Sequence, residues 1–473
     1  MVEDPLMVQI LPDQPSSYTF SKTKSKSILL LIITTTLGLL FVVFYSNIEL
    51  SSSGWNVKSS FRYSVIIDAG SSGTRVHLFR YWIESGKPVF DFGEVNYLSL
   101  KLTPGLSAYA DNPVEANTMV AHLVDFAKIF IPVGVLKVTD IRLMATAGMR
   151  LLNETVQQQI LEVTRKVLRS SGFMFRDEWA SVISGSDEGI YAWVIANYAL
   201  GSLGGDPFQT TGIVELGGAS AQVTFVSSEF VPPEFSRTIS YGNVAYKIYS
   251  HSFLHYGQDT AQEDLYKSLQ NSGKGTVIDP CTPKGYTAGK KSLNDSFGIL
   301  AEESRLTATV QAAGNFSQCR SLTFAMLQKG KENCPYKHCS IGSTFTPNLQ
   351  GKFLAKEQFY HTSKFFELEE KAWLSKMIPA AKSFCGEEWS KLKEKYPTIK
   401  DRYLHGYCFS SAYIVSMLHD SLGFALDDER IKFAEKAGAK NTPLDWALGA
   451  FILNNAKARY DYGGKSRKNL GFF

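Results

Sequence analysis

No cysteine precedes Cys281 in this chain of 473 residues, and no tract of a single charge sign dominates any part of it. The 49 basic residues nearly cancel the 45 acidic ones, and the formal charge of +4 is too small for a nucleic-acid footprint. The pattern G-x-x-x-x-G-K-[ST] is missing, which sets aside the Walker-type ATPases. A zinc centre is also poorly provided for. Cys334-Pro-Tyr-Lys-His-Cys339 offers two thiols and His338, but no second close ligand pair accompanies them.

One long apolar run stands out. Residues 28–45, ILLLIITTTLGLLFVVFY, carry no charge and suffice to cross a bilayer as a helix. Lys22, Lys24 and Lys26 precede it, and that asymmetry favours a cytosolic N-terminus with the remaining chain lumenal or extracellular. No A-x-A site follows, so a retained single-pass type II anchor is favoured over a cleaved signal peptide. The six cysteines, at 281, 319, 334, 339, 385 and 408, suit such an oxidising compartment as three disulfides. Of the 15 possible connectivities we take nearest neighbours: 281 with 319, 334 with 339, and 385 with 408. Sequons at Asn153, Asn294 and Asn315 agree with export.

Residues 1–27 read as a cytosolic tail and 46–60 as a Ser-rich stalk. From Phe61 the pattern is α/β. Tyr63–Ile67 and Val76–Trp82 read as strands around a small-residue turn, with another strand over Asp140–Met144. Helical spacing marks 113–130, 154–172, 366–384, 409–422 and 446–457, and a helix over Glu188–Leu200 stops at Gly201. The tract GSLGGDP, 201–207, is a linker. After it the strand-turn-strand pattern returns, because VIIDAGSSGTRVHLF (65–79) is echoed by GIVELGGASAQVTF (212–225). The echo implies two related α/β lobes with a cleft between them. Their expected extents are 61–205, completed by about 440–473, and 206–440.

A turn of Gly, Ser and Thr lets backbone amides converge on a phosphate without bulky side chains. An acid ends the preceding strand in each hairpin, Asp68 and Glu215, and a carboxylate there suits a hard divalent cation. Thr146-Ala147-Gly148 in LMATAGMR could present a further hydroxyl and amides. Asp187 and Glu188 in ISGSDEGIYAW stand at a helix start, where acids often just complement the helix dipole. In a phosphate cleft, one of them could be the base that water attack requires.

DAGSSGTR, TAGMR, SGSDEGIYAWVIANY, ELGGASAQ and DWALGAF, in this order, strongly resemble the five apyrase conserved regions, and YSHSFLHYGQDTA adds to the likeness. The sequence is most similar to membrane-anchored plant members of that family, the nucleoside triphosphate diphosphohydrolases. The resemblance implies two actin-like, ribonuclease-H-like lobes, a nucleotide in the cleft, and hydrolysis of nucleoside tri- and diphosphates with Ca2+ or Mg2+. By matching motifs, Glu188 would be the base, Ser220 and Gln222 would place the water, and Asp68 and Glu215 would hold the hydrated metal. Ser71, Ser72, Gly73, Thr74, Thr146, Ala147, Gly217, Gly218 and Ala219 would cradle the phosphates. The fourth region commonly opens Asp-Leu-Gly-Gly, so Glu215, one methylene longer, puts the metal preference in doubt.

An aromatic clamp is expected at the nucleobase, with Tyr360 and Tyr407 as candidates. Trp446 could equally be a core anchor or a ligand contact, and His77 reads as a satisfied core histidine. Sugar kinases and exopolyphosphatases pair similar hairpins, and a nucleotide-binding receptor without turnover is the non-enzymatic alternative. A Golgi or other endomembrane enzyme and a cell-surface enzyme would look alike.

Overall fold

The computed structural model describes residues 61–84, 87–272, 275–287, 308–368 and 374–457. The expected tail, membrane anchor, stalk and the sequon at Asn294 lie outside the described residues. Among the described residues, no helix is long and apolar enough to cross a membrane.

Ten strands precede the long helix Gln258–Asn271: β1 (Arg62–Ala69), β2 (Thr74–Glu84), β3 (Lys87–Val89), β4 (Tyr97–Leu102), β5 (Asp140–Ala145), β6 (Ala180–Val182), β7 (Gly212–Leu216), β8 (Ser220–Val226), β9 (Ser236–Tyr241) and β10 (Val244–Leu254). Eight more follow among the described residues: β11 (Gly275–Asp279), β12 (Ala308–Ala312), β13 (Cys339–Ile341), β14 (Thr344–Phe345), β15 (Phe353–Glu357), β16 (Ile431–Phe433), β17 (Lys436–Ala437) and β18 (Thr442–Pro443). The first sheet runs β3-β2-β1-β5-β6, with β4 also on β2, and the second runs β16-β15-β7-β8-β10-β9.

The two sheets repeat one plan. In the first, β1 pairs antiparallel with β2 and parallel with β5. In the second, β7 pairs antiparallel with β8 and parallel with β15. Strand β1 is covered on both faces, which explains its unbroken Val65-Ile66-Ile67, all fully buried. The sequence echo is therefore a repeat of topology, and the hairpin turns 70–73 and 217–219 emerge at the same place in each sheet.

Two helices join the halves. Gly185–Ala199 is capped by Ser184 and is apolar almost all round, as a buried helix must be. Trp446–Lys457 packs across it so closely that a Cβ on Gly449 would lie 1.8 Å from the Tyr191 carbonyl oxygen. Phe451, on the second helix, stacks on Phe79 of β2 with centroids 4.2 Å apart. One core cluster holds both helices together with Ile66 of β1 and Ile213 of β7.

Local expectations differ in detail. The first helix proper is Ala116–Phe130, preceded by a 3-10 turn, and the helical segment expected from 366 begins at Leu374, after a separate helix Gln358–Phe365. The three disulfides pair nearest neighbours, Cys281–Cys319, Cys334–Cys339 and Cys385–Cys408, so the zinc alternative at 334–339 has no free thiols. Asn153 and Asn315 are exposed helix N-caps whose side-chain oxygens accept from the Val156 and Gln318 amides, both at 3.0 Å.

Because the Gly449 contact is to backbone, Gly449→Ala must push the two helices apart. It should lower stability by about 1–3 kcal/mol, the usual range for overpacking, read as a fall in the thermal unfolding midpoint.

Candidate active site

The two turns meet across a cavity of about 100 Å³. Ser71, Ser72 and Gly73 line one side, Gly217, Gly218 and Ala219 the other, and Thr146 and Ala147 a third. Contact distances explain the glycines. A Cβ on Gly148 would sit 2.8 Å from the Ser71 Cα, and one on Gly218 would sit 2.8 Å from the Ser71 hydroxyl. The Thr146 amide donates to the Ala69 carbonyl at 3.1 Å, tying the TAGMR turn to the first hairpin.

Glu188 enters this cavity from the first turn of the helix Gly185–Ala199 and is 7% exposed. Its Oε2 accepts from Arg150 Nη2 at 3.0 Å and from Gln222 Nε2 at 3.2 Å. Gln222 Nε2 also donates to Ser220 Oγ at 2.7 Å. Burial raises the Glu188 carboxyl above its ordinary range, and the Arg150 guanidinium opposes that rise. Three motifs expected to act together thus share one hydrogen-bonded cluster.

Asp68 and Glu215 line the same cavity, opposite Arg75 and Gln222 in their hairpin registers. Asp68 Oδ1 and Glu215 Oε2 are buried with no hydrogen-bond partner. Two orphaned carboxylate oxygens in one cleft suit a hard divalent cation with oxygen ligands, so the residues present fit the metal that the motifs imply. Glu215 Oε1 is already taken, because Lys356 Nζ donates to it at 3.0 Å. Burial pushes the Glu215 carboxyl up to about 7 against the pull of Lys356. Asp68 is also raised well above its usual range, by burial and by Asp445, with Arg75 opposing.

Beneath the first hairpin, Asp445 takes Arg75 Nη1 at 2.7 Å and lies 3.7 Å from His77 Nε2. His77 is completely buried, meets the Tyr97 hydroxyl through Nδ1 at 2.9 Å, and is pushed down to about 4 by burial. It is neutral near pH 7. Its ring, Asp68 and Asp445 could in geometry approach one ion, but Arg75 already pairs with Asp445.

A model of the GDA1/CD39 (nucleoside phosphatase) family matches residues 55–462. The chain belongs to this family. It is 69% identical to "Probable apyrase 5" of Arabidopsis thaliana, across 99% of this chain and 100% of that one. It is 33% identical to "Ectonucleoside triphosphate diphosphohydrolase 1" of Mus musculus, across 83% and 80% respectively. Among solved structures it resembles that of nucleoside triphosphate hydrolases from Neospora caninum, with a TM-score of 0.64, 15% identity, and coverage of 90% and 97%. That likeness is one of fold, the two-lobed actin-like α/β architecture.

Three of the expected residues do not line the small cavity. Thr74 is completely buried within β2, with its hydroxyl unpartnered. Tyr407 lies flat on Phe365, with centroids 3.6 Å apart, as part of the second lobe's core. Tyr360 stands on the helix Gln358–Phe365 beside Lys364. The small cavity adjoins a wide one of about 1610 Å³, sharing Ser71, Ser72, Gly218 and Ala219 with it. The aromatics lining it are Tyr266, Tyr286, Tyr403, His405 and Phe409, with Tyr286 stacked on His405 at 4.7 Å.

Residue-by-residue reading of the sequence also passed over the cations. Arg75 and Arg150 stand inside the quoted motifs, but only the fold shows Arg75 on Asp445 and Arg150 on Glu188. Lys101 reaches the Ser72 hydroxyl at 3.5 Å across Gly73, and no local signal marks it.

Since Gly148 is pressed on the backbone of the first turn, Gly148→Ala should displace that turn from the small cavity. AMPPNP affinity should fall roughly tenfold or more, the scale of one misplaced methylene, in calorimetric titration of folded protein.

Proposed function

We propose that this chain hydrolyses nucleoside triphosphates and diphosphates to the monophosphate and inorganic phosphate, by in-line attack of water. The observation that carries this reading is the Glu188–Gln222–Ser220 cluster, set between two facing amide-rich turns with paired carboxylates beside it. Glu188 takes the proton as the water oxygen bonds to the terminal phosphorus, and the bond from phosphorus to the bridging oxygen breaks. Ser220 and Gln222 fix the water, and Arg150 fixes Glu188. The transition state is loose, so placement and charge stabilisation do most of the catalytic task. The amides at 71–73, 218 and 219, with Thr146, Ala147 and Lys101, receive the phosphoryl oxygens, since the Gly217 amide already donates to the Ser220 carbonyl at 3.0 Å.

A divalent cation, Ca2+ or Mg2+, would be held from Asp68 and Glu215 and would supply neutralisation of phosphate charge. The base would rest in the wide cavity, stacked against Tyr286 or Tyr403, with Tyr360 and Tyr407 set aside as clamp residues. The lysine-flanked apolar run 28–45 would anchor the chain, leaving this site in the lumen or outside. The three disulfides support that placement.

Phosphate release from ATP, ADP, UDP, GDP and AMP by the full chain tests the reaction. Release from di- and triphosphates, abolished by chelator and absent with AMP, is the expected result. Glu188→Gln should retain AMPPNP binding while turnover falls about 10²- to 10⁴-fold, the ordinary worth of a positioned base. Arg150→Met tests the electrostatics separately. The base acts ionised, so turnover disappears as pH falls through the carboxyl's raised pKa. Removing the guanidinium raises that pKa further, so the acid limb of the kcat profile should move to higher pH.

A further inference from the structure

Lys356 and Glu215 are 141 residues apart in sequence, yet they face each other in the parallel register of β15 on β7. Lys356 is only 2% exposed, and its Nζ lies 3.0 Å from Glu215 Oε1 and 3.9 Å from Glu357 Oε1. A lysine is rarely buried without a reason as specific as this pairing. Glu215 Oε2, by contrast, is buried and unpartnered on a residue that lines the phosphate cavity.

The backbone next to Lys356 is strained to make this arrangement. Glu357 has φ 61° and ψ −121°, a conformation that a residue with a Cβ seldom adopts. Consecutive strand residues normally point to opposite faces. The positive φ at Glu357 lets its carboxylate line the cavity and still come near the Lys356 ammonium. Strain of this kind gathers at functional sites, and here it falls at the end of β15, against the phosphate cleft.

Glutamate at 215 raises a problem that Lys356 resolves. The extra methylene adds a torsion, and a free carboxylate there could swing or close on a cation with both oxygens. Ca2+ accepts bidentate carboxylates and variable coordination, whereas Mg2+ requires near-octahedral ligands and keeps its waters. We propose that Lys356 is a positioning and cation-selecting residue: by occupying Glu215 Oε1 it leaves Oε2 alone to face the cation or its waters. That arrangement forbids bidentate ligation and favours Mg2+ over Ca2+. It rests on Asp68 and Glu215 being the cation's holders, as read above.

The test is binding rather than turnover. Mg2+ and Ca2+ are titrated calorimetrically into the full-length protein saturated with AMPPNP, for wild type, Lys356→Met, Lys356→Arg and Asp68→Asn. A group that hydrogen-bonds a metal-holding carboxylate is worth roughly 10- to 100-fold in metal affinity, and Lys356→Met should lose that much for Mg2+ but much less for Ca2+. Lys356→Arg, which keeps a cation on Oε1, should hold the wild-type order. A folded Lys356→Met with the wild-type Mg2+ to Ca2+ ratio overturns the proposal. If Lys356→Met does not fold, the double variant Glu215→Gln/Lys356→Met removes both charges together. Because that variant also removes the Glu215 carboxylate, it is read against Glu215→Gln alone: a lower Mg2+ to Ca2+ affinity ratio in the double variant supports the proposal, and an equal ratio shows the pair to be a structural staple and overturns it. Asp68→Asn separates the layers: unchanged Mg2+ affinity there overturns the underlying cation site, whereas weakened affinity beside an unaltered Lys356→Met removes only the role of Lys356.

Discussion

Everything in the cleft depends on how closely backbone approaches backbone. The TAGMR turn rests on the first hairpin through Gly148, and Gly218 of the second hairpin faces Ser71 of the first. Behind the second hairpin, a Cβ on Gly257 would lie 2.3 Å from the Ser220 amide nitrogen. None of these three glycines has a positive φ. They are present for space, not for conformational freedom. A side chain at Gly148 or Gly257 would collide with backbone and separate the turns, whereas one at Gly218 would meet the side-chain ends of Asp259 and Ser71 that crowd the cleft.

The same closeness forces unlike charges together. Arg150 with Glu188, Lys356 with Glu215, and Arg75 with Asp445 are pairs drawn from segments 38, 141 and 370 residues apart. Pairs this buried add little net stability, because desolvation offsets their attraction, but a lone member would be costly. They therefore act as fasteners that fix where each carboxylate points. What remains unpaired is correspondingly informative. Asp68 Oδ1 and Glu215 Oε2 are buried without hydrogen-bond partners, which is the donor chemistry that the proposed cation site requires.

This division also explains what was legible in the sequence. Hairpins are local, so Asp68, Ser71, Ser72, Gly217 and Gly218 could be read from a dozen consecutive residues, and the echo of one hairpin in the other announced the repeated sheet. Glu188 was legible as an acid at a helix start, but its bonds to Arg150 and Gln222 depend on how two lobes meet. Lys356 had no local signal at all, since only strand register sets it beside Glu215. Thr74 was read with its turn neighbours, yet the turn ends at Gly73 and the threonine belongs to β2, facing the core. The nucleobase end was hard to read for another reason. With 22 tyrosines and 31 phenylalanines in the chain, aromatic character does not single out a ligand face from a packed one, and Tyr407 proved to be packing.

The two cavities differ in a way that bears on substrate range under the proposed reaction. The phosphate end is narrow, about 100 Å³, and lined by amides, hydroxyls and charge, whereas the adjoining space is about 1610 Å³. A narrow polar site discriminates strongly, because a buried donor left without its acceptor is expensive. A wide one bordered by tyrosine and histidine rings offers π-faces, which stack on any base. Recognition is therefore concentrated on the phosphate chain, whose length the facing turns can measure, while the base contributes affinity with little selectivity. The narrow end is held by glycine contacts and buried ion pairs, and the wide end is bordered by the half-buried Tyr286 and His405 and the exposed Tyr403. Changes that alter nucleotide preference belong among the rings, and changes that alter chemistry belong at the turns.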